Sequence, residues 1–243
     1  AGALYELYNH VLDSEYSGSK KLAAEVYLIE MLPNLLNPYP ENLQRSALEQ
    51  IRDLGVKVIL ENQVQEITEK LVRLQDWTAI PTRTVVWAAG VKGSPPPGAP
   101  SLGQSSGKKI PVKTTLETRQ DPRVYAVGDV AALDKEDGGP YPMLIPVAKQ
   151  QGILAAENIL RSLRGQPQKP FQYHDRGVMA TIGRSRAVAW IYNRVPLSGF
   201  PAWLAWLGLH LVTLLGFRNK LSVLIKWVWN YLTYDRSVRI ILD

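Results

Sequence analysis

The stretch Arg123-Val124-Tyr125-Ala126-Val127-Gly128-Asp129 constrains the chain more than any other. Four consecutive apolar residues, β-branched and aromatic types among them, predict a short buried strand. A glycine and an acid end it abruptly. Gly128 permits close approach of a ligand, and Asp129 offers a carboxylate at the strand's carboxyl end, where open α/β sheets bind ligands. Further on, Pro146-Val147-Ala148-Lys149-Gln150-Gln151-Gly152 opens a helix with proline in its first turn. A strand ending in Gly-Asp, with a helix N-terminus aimed back at it, suits a polar cofactor carrying negative charge. Taken alone, Gly-Asp is also an ordinary strand–turn dipeptide.

The remaining elements follow in order. Leu4, Leu7, Tyr8, Val11 and Leu12 recur at helical spacing. A polar loop covers Asp13 to Lys21. Glu25 to Glu30 predicts a buried strand ending in an acid. A proline-containing loop leads to a helix over about 41–54 with Gly55 as its C-cap. Short strands are expected at 56–60, 64–68 and 71–74, and another at Thr84-Val85-Val86-Trp87-Ala88-Ala89-Gly90. Residues 92–108 are rich in Gly, Pro and Ser and predict a linker or surface excursion. The helix opened by Pro146 should end near Gly165, and 171–190 should hold a pair of strands.

Helix, strand, acid is the second half of a dinucleotide-binding βαβ unit, in which an acid at the tip of the second strand holds ribose hydroxyls. Glu30 stands at that point. A solvated glutamate at a strand end is the plainer alternative.

Composition narrows the chemistry. The chain has 243 residues, no cysteine and three histidines. It can bury one or two sizeable cores. Disulfides, thiolate metal sites and thiol-based redox steps are excluded for these residues, and no metal site is expected. The net charge of +6 points to an anionic partner: nucleic acid, a phosphate-bearing cofactor or an acidic membrane surface. The opening Ala1-Gly2-Ala3-Leu4 is already helix-like without a capping residue, and reads as a fragment cut inside a helix.

From Val195 to Phe217 no residue is charged. Pro196, Gly199 and Pro201 break the front, so a continuous helix is expected only from about Pro201 to Gly216. At 1.5 Å per residue that is roughly 22 Å, short of the ~30 Å hydrocarbon core. A spanning helix is therefore not expected. After an expected turn at Arg218-Asn219-Lys220, a second segment runs to Tyr234, and Ser222, Lys226, Asn230, Thr233 and Ser237 form one narrow polar stripe. Trp203, Trp206, Leu207, Trp227 and Trp229 fit the membrane–water boundary. Five basic residues, Arg218, Lys220, Lys226, Arg236 and Arg239, outnumber Asp235 and Asp243. This predicts helices lying in an anionic interface. A helical hairpin packed in a core or dimer interface is the alternative.

With these residues together, the chain resembles the bacterial type II NADH:quinone oxidoreductases, flavoproteins with two dinucleotide folds. The likeness rests on Trp87-Ala88-Ala89-Gly90, Val124 to Asp129, Pro146 to Gly152, Ala180-Thr181-Ile182-Gly183-Arg184, Leu197-Ser198-Gly199-Phe200, Gly216-Phe217-Arg218-Asn219 and Tyr231-Leu232-Thr233. The resemblance implies an α/β fold with Rossmann-like FAD and NADH domains, incomplete here, and C-terminal amphipathic membrane-binding helices. It divides the chain into a partial NADH-binding domain (1–89), the C-terminal part of the FAD domain (90–194) and a membrane-interface region (195–243).

By the same resemblance, Gly128 and Asp129 bind the ribityl chain of FAD, and Val147 and Ala148 present a helix end to the flavin pyrimidine. Ala89 and Gly90 border the flavin–nicotinamide stack, Glu30 holds the adenosine ribose of NADH, and Gln150 and Gln151 line the quinone side. Implied partners are a membrane quinone and a bilayer surface, with no nucleic acid. The implied place is the cytoplasmic face of the bacterial inner membrane, as a peripheral protein; a homodimer is left open. Many family members have a glutamine where this chain has Pro146, a proline variant familiar among the bacterial members. Its N-terminal FAD-binding part and the NADH glycine-rich turn lie outside the chain, so the chain alone is expected neither to hold FAD tightly nor to turn over. Two other readings are a reductase using a soluble acceptor and a non-catalytic membrane-associated remnant. Sulfide:quinone oxidoreductases and disulfide reductases share the fold but require cysteines.

Overall fold

The computed structural model describes residues 1–12, 24–103 and 105–233, without the side chains of 10–12, 100 and 233. The polar loop expected at 13–21 and the residues from Tyr234 onward, including Ser237 and the charges at 235, 236, 239 and 243, lie outside the described residues. The chain divides into two compact units, one of residues 1–85 and 176–243, the other of 86–175. The segment expected as 90–194 is thus shared: its 176–194 part packs with the first 85 residues.

In the first unit, α1 (Gly2–Glu6) continues into a π-helical turn over Leu7–Leu12. Strand β1 (Tyr27–Ile29) pairs in parallel with β2 (Lys57–Ile59), and α2 (Glu41–Leu54) is the crossover between them. Pro40 precedes α2 and Glu41 sits in its first turn, favourable to the helix dipole; Gly55 stops it in the left-handed conformation. Leu43, Ala47 and Ile51, four apart, form its buried face. Burying Leu43 and Ile51 contributes roughly 1.5–3 kcal/mol each as an upper figure.

Strands β3 (Val64–Ile67), β4 (Leu71–Leu74) and β5 (Ala79–Pro81) form an antiparallel meander. Its Val72, Leu74 and Ile80 pack against Tyr27, Ile29 and Ile59 of the parallel pair.

A third sheet of this unit follows the order β10-β9-β8, from β8 (Gly177–Gly183), β9 (Arg186–Ile191) and β10 (Val195–Ser198). Alternation along β9 gives it two buried faces. Val188 and Trp190 meet Leu43 and Ala47 of α2. Ala187 and Ala189 meet Ala202 of α4 (Gly199–Thr213). The small alanines let that helix lie close. Pro201 is accommodated in its first turn, so the helix begins at Gly199, slightly earlier than expected. Helix α5 (Phe217–Thr233) completes the hairpin.

The second unit has a core of Ile110, Val112, Leu116, Ala126, Leu133, Val147, Ala155 and Phe171. Strands β6 (Ile110–Pro111) and β7 (Ala131–Ala132) pair in parallel, and α3 (Ile145–Leu163) covers them with Pro146 in its first turn. Asn158, fully buried, pins the helix by donating to the carbonyls of Thr115 and Lys169 and accepting from the Lys169 N–H at 2.9–3.0 Å.

Two expected strands differ. Residues 84–90 join no ladder among the described residues, and Val86 and Trp87 are exposed. Residues 124–127 are extended and pair only briefly with 116–118: the Thr118 N–H donates to the Val124 carbonyl and the Ala126 N–H to that of Leu116, around a single bridge of Tyr125 with Glu117. A strand exists only where a second chain segment accepts its hydrogen bonds, and apolar content does not supply that partner. The 92–108 segment also differs from a plain linker: it forms short 3-10 turns, and Gly93 within it is buried.

Candidate functional site

In the second unit the chain leaves the 124–127 segment through a 3-10 turn, Gly128–Val130. Gly128 has φ +71°, which favours glycine, and a Cβ there would stand 3.1 Å from that of Ala148. The turn therefore rests directly on the first turn of α3. Gln151, 2% exposed, fastens it by accepting the Gly128 N–H on Oε1 at 2.6 Å. Asp129 is exposed on the same turn.

Gly93 closes in from another side. A Cβ on it would meet the Lys108 carbonyl oxygen at 2.9 Å and that of Asp129 at 3.3 Å. Sequence reading missed this residue. Its one signal was a glycine shortly after Ala89-Gly90.

The N-terminus of α3 has no side-chain cap. The Ala148 N–H already bonds the Leu144 carbonyl, so it is not available to a ligand. The Val147 N–H lies within the first turn, where no intrahelical carbonyl can serve it. The Val147 side chain is buried in the core, so any contact it offers is through the backbone.

The two glutamines play unlike parts. Gln150 makes paired bonds with His174, accepting its N–H at 3.0 Å and donating to its carbonyl at 3.1 Å. That amide holds the strap after Phe171 against α3. Gln151 acts through Gly128. Structure thus brings Gly128, Asp129, Val147, Ala148 and Gln151 together. Ala89 and Gly90 belong to the same unit as an exposed stretch, with the Trp87 Nε1–H donating to the Ala89 carbonyl at 3.0 Å.

Glu30 lies in the first unit at the end of β1. Its N–H donates to the Ile59 carbonyl at 2.9 Å, and its carboxylate accepts the Leu32 N–H at 3.0 Å. One carboxylate oxygen thus shapes the turn. The group remains partly exposed at the carboxyl end of the parallel pair, the position open α/β sheets use for ligands.

The α4–α5 hairpin exposes much apolar surface, including Leu204, Leu209, Val212, Leu215, Phe217, Ile225, Val228, Trp229 and Leu232. Trp203 and Trp206 are only half-exposed. Trp203 packs between Phe200 and Tyr231, with ring centroids at 5.8 and 5.3 Å, and Trp206 stacks on His210 at 3.8 Å. Leu207 and Trp227 are half-buried. The far end of α5 is tied to the β8–β9 turn: the Arg184 guanidinium lies 4.3 Å from the Tyr231 ring centre and donates to its carbonyl, and Ser185 Oγ is 3.1 Å from the Tyr231 hydroxyl. Between α4 and α5 an apolar cleft is lined by Leu211, Val212, Phe217, Lys220, Leu221 and Leu224. No helix among the described residues is long and apolar enough to cross a membrane, and these residues hold no metal-ligand cluster.

A parallel βαβ unit whose first strand ends in an acid, and a Gly-Asp turn seated on a helix N-terminus, are features of a dinucleotide-binding α/β fold. Residues 14–152 match the pyridine nucleotide-disulphide oxidoreductase family, more than half of the chain, and the chain belongs to that family. Among curated proteins it is 30% identical over 264 residues to the type II NADH:quinone oxidoreductase Ndh of Mycobacterium tuberculosis, covering 100% of this chain and 54% of that protein. It is 30% identical over 193 residues to the type II NADH:quinone oxidoreductase of Haemophilus influenzae, covering 78% and 44%. The chain thus spans about half the length of the curated relatives it matches. Among solved structures, NDH2 from Plasmodium falciparum in complex with NADH superposes with a TM-score of 0.83 at 13% identity, covering 98% of this chain and 64% of that one. The sulfide:quinone oxidoreductase of Aquifex aeolicus gives 0.61 at 14%, covering 90% and 53%. At these identities the two structures speak for the fold alone.

Proposed function

We propose that the chain works within a flavoenzyme that passes a hydride from NADH to FAD and then two electrons to a membrane quinone. The observation that carries this reading is the Gly128–Asp129 turn, held by Gln151 against the N-terminus of α3. The curated relatives' names agree with it.

The residues fit a flavin. Asp129 offers an exposed acceptor for the hydroxyls of a ribityl chain. The Val147 N–H and the positive end of α3 favour negative charge on the pyrimidine ring. Gly128 and Gly93 keep the approach narrow, and Ala89 and Gly90 border the stack. Bound FAD supplies the hydride acceptance and two-electron release, while the protein positions it. Glu30 accepts hydrogen bonds from the adenosine ribose of NADH. The quinone side is assigned to the Gln150 face, with Gln151 acting on the turn. In this reading the NADH side lies within residues 1–89, the FAD side within 90–194, and 195–243 meets the membrane.

The α4–α5 hairpin is the membrane contact, as a peripheral attachment on the cytoplasmic face of the bacterial inner membrane. Support comes from its large exposed apolar surface beside Arg218, Lys220 and Lys226. A second copy of the chain would compete for the same surface. Each large side chain fully buried contributes roughly 1.5–3 kcal/mol as an upper figure, and each basic residue about 1 kcal/mol that salt screens. Insertion should therefore dominate.

The test is flotation of the full-length protein on anionic vesicles with and without 1 M salt, beside NADH oxidation with a long-chain quinone and with a water-soluble acceptor. Flotation that survives salt, and is lost with quinone turnover when 198–243 is deleted, is expected. Flotation abolished by salt would make the attachment purely electrostatic. Undiminished quinone turnover after the deletion would remove the hairpin from the quinone's route.

A further inference from the structure

Trp77 sits at the tip of the β4–β5 hairpin, 77% exposed, with φ +69°. A bulky residue in the left-handed region is strained, and such strain persists where the surroundings impose it. Here they do. The Trp77 N–H bonds the Leu74 carbonyl at 3.0 Å, the Gln75 N–H bonds the Gln63 carbonyl at 2.8 Å, and Asp76 accepts the Thr78 N–H at 3.0 Å.

A short backbone path ties this tip to the end of β1. Asn62, buried, gives its backbone N–H to the Glu30 carbonyl at 3.2 Å, and the next residue, Gln63, is the one whose carbonyl accepts from Gln75 in the tip. The Asn62 Oδ1 has no hydrogen-bond partner among the described residues. Beside Glu30, Met31 and Leu32 are exposed as well, at 62% and 41%. Three exposed apolar side chains therefore stand on segments that a short backbone-bonded path links to one strand-end acid.

Charge narrows what they meet. Glu61 donates its N–H to the Leu32 carbonyl, so Glu30, Glu61 and Asp76 all lie along this path. Three carboxylates disfavour an anionic lipid surface or a phosphate at that spot. A neutral, planar, apolar group is suited to it, because a heteroaromatic base stacks on an indole regardless of charge.

We propose that Trp77 is a stacking wall for the purine base of the dinucleotide, with Met31 and Leu32 supplying the adjoining apolar surface. This rests on the reading of Glu30 as the ribose acceptor. Asp76 and Glu61 then add to the rejection of a 2′-phosphorylated dinucleotide, whose extra charge would arrive beside the base.

The experiment compares NADH with reduced nicotinamide mononucleotide, which lacks the adenylate half, in the full-length flavoenzyme. Three variants are used: Trp77→Ala, Trp77→Phe and Glu30→Gln. The ratio of kcat/KM for NADH to that for the mononucleotide should fall about tenfold in Trp77→Ala, the worth of one base–aromatic stack. Trp77→Phe should restore most of it. Because Trp77 is exposed, loss of folding is not expected, and a thermal melt checks it. An unchanged ratio in Trp77→Ala, with a lowered ratio in Glu30→Gln, overturns the stacking role and leaves the ribose reading intact. Unchanged ratios in both overturn both. Equal losses on the two substrates in Trp77→Ala would place the effect outside the adenylate and also overturn the proposal.

Discussion

Gln151 Oε1 accepts the Gly128 N–H at 2.6 Å, joining the second turn of a helix to the residue before the exposed acid Asp129. The helix N-terminus and the acid are therefore one rigid arrangement. Gln151→Leu keeps the shape but leaves the Gly128 N–H without its acceptor, which costs about 1–3 kcal/mol. In the full-length protein the urea midpoint should drop accordingly, and flavin content with it. A variant with wild-type midpoint and flavin content would show that the bond is dispensable.

Asp129→Ala should act on flavin without acting on stability, because the side chain is exposed. Losing a charge-assisted bond to a hydroxyl weakens binding by about 1.5–3 kcal/mol. The flavin dissociation rate of the full-length protein, read by fluorescence, should rise while its melting temperature holds. An unaltered rate would reduce Asp129 to a strand end.

Glu30→Gln should narrow the preference for NADH over NADPH. A carboxylate accepts from two ribose hydroxyls and repels a 2′-phosphate, whereas an amide does not repel it. The comparison is kcat/KM for the two nucleotides. An unchanged ratio would take Glu30 out of the nucleotide site.

Glu117 supplies a pH dependence. Burial raises its carboxyl, but bonds from Gln168 Nε2 at 2.7 Å, Thr115 Oγ1 at 3.1 Å and Lys113 Nζ at 3.3 Å outweigh that and hold it below the ordinary glutamate value. A depressed folded-state value means stability fully present above the unfolded value, about 4.3, and lost as pH falls through the folded one. Between about pH 6 and pH 3 the urea midpoint of wild type should fall further than that of Glu117→Gln, which has no such proton to take up. Parallel falls in the two would mean other carboxylates govern acid unfolding.

Sequence alone determined the elements whose cause is local. Helix α2 follows from Leu43, Ala47 and Ile51 at helical spacing and Gly55 beyond the end; α3 follows from Pro146 at its start. Glu30 at the end of β1 and Asp129 after Gly128 were legible because strand-end acids leave a dipeptide trace. The end of α4 was legible near Gly216, but the turn expected at Arg218-Asn219-Lys220 is already the first turn of α5. Only the tertiary structure decided matters that depend on a second segment. Residues 84–90 have strand composition, but ladder hydrogen bonds need a neighbour that no local pattern encodes, and 124–127 find one only in the short 116–118 segment. Gly93 against Asp129 and Gln151 against Gly128 are close approaches between residues far apart in sequence, invisible to periodicity. Gln150 reads as a polar helix residue, and only the fold turns its amide onto the His174 backbone. Trp77 reads as one more aromatic; its exposure and the link of its hairpin to Glu30 through Gln63 and Asn62 exist only once the meander has folded back on β1. Local propensity is set within a turn or two of chain, while these contacts are set by which surfaces meet.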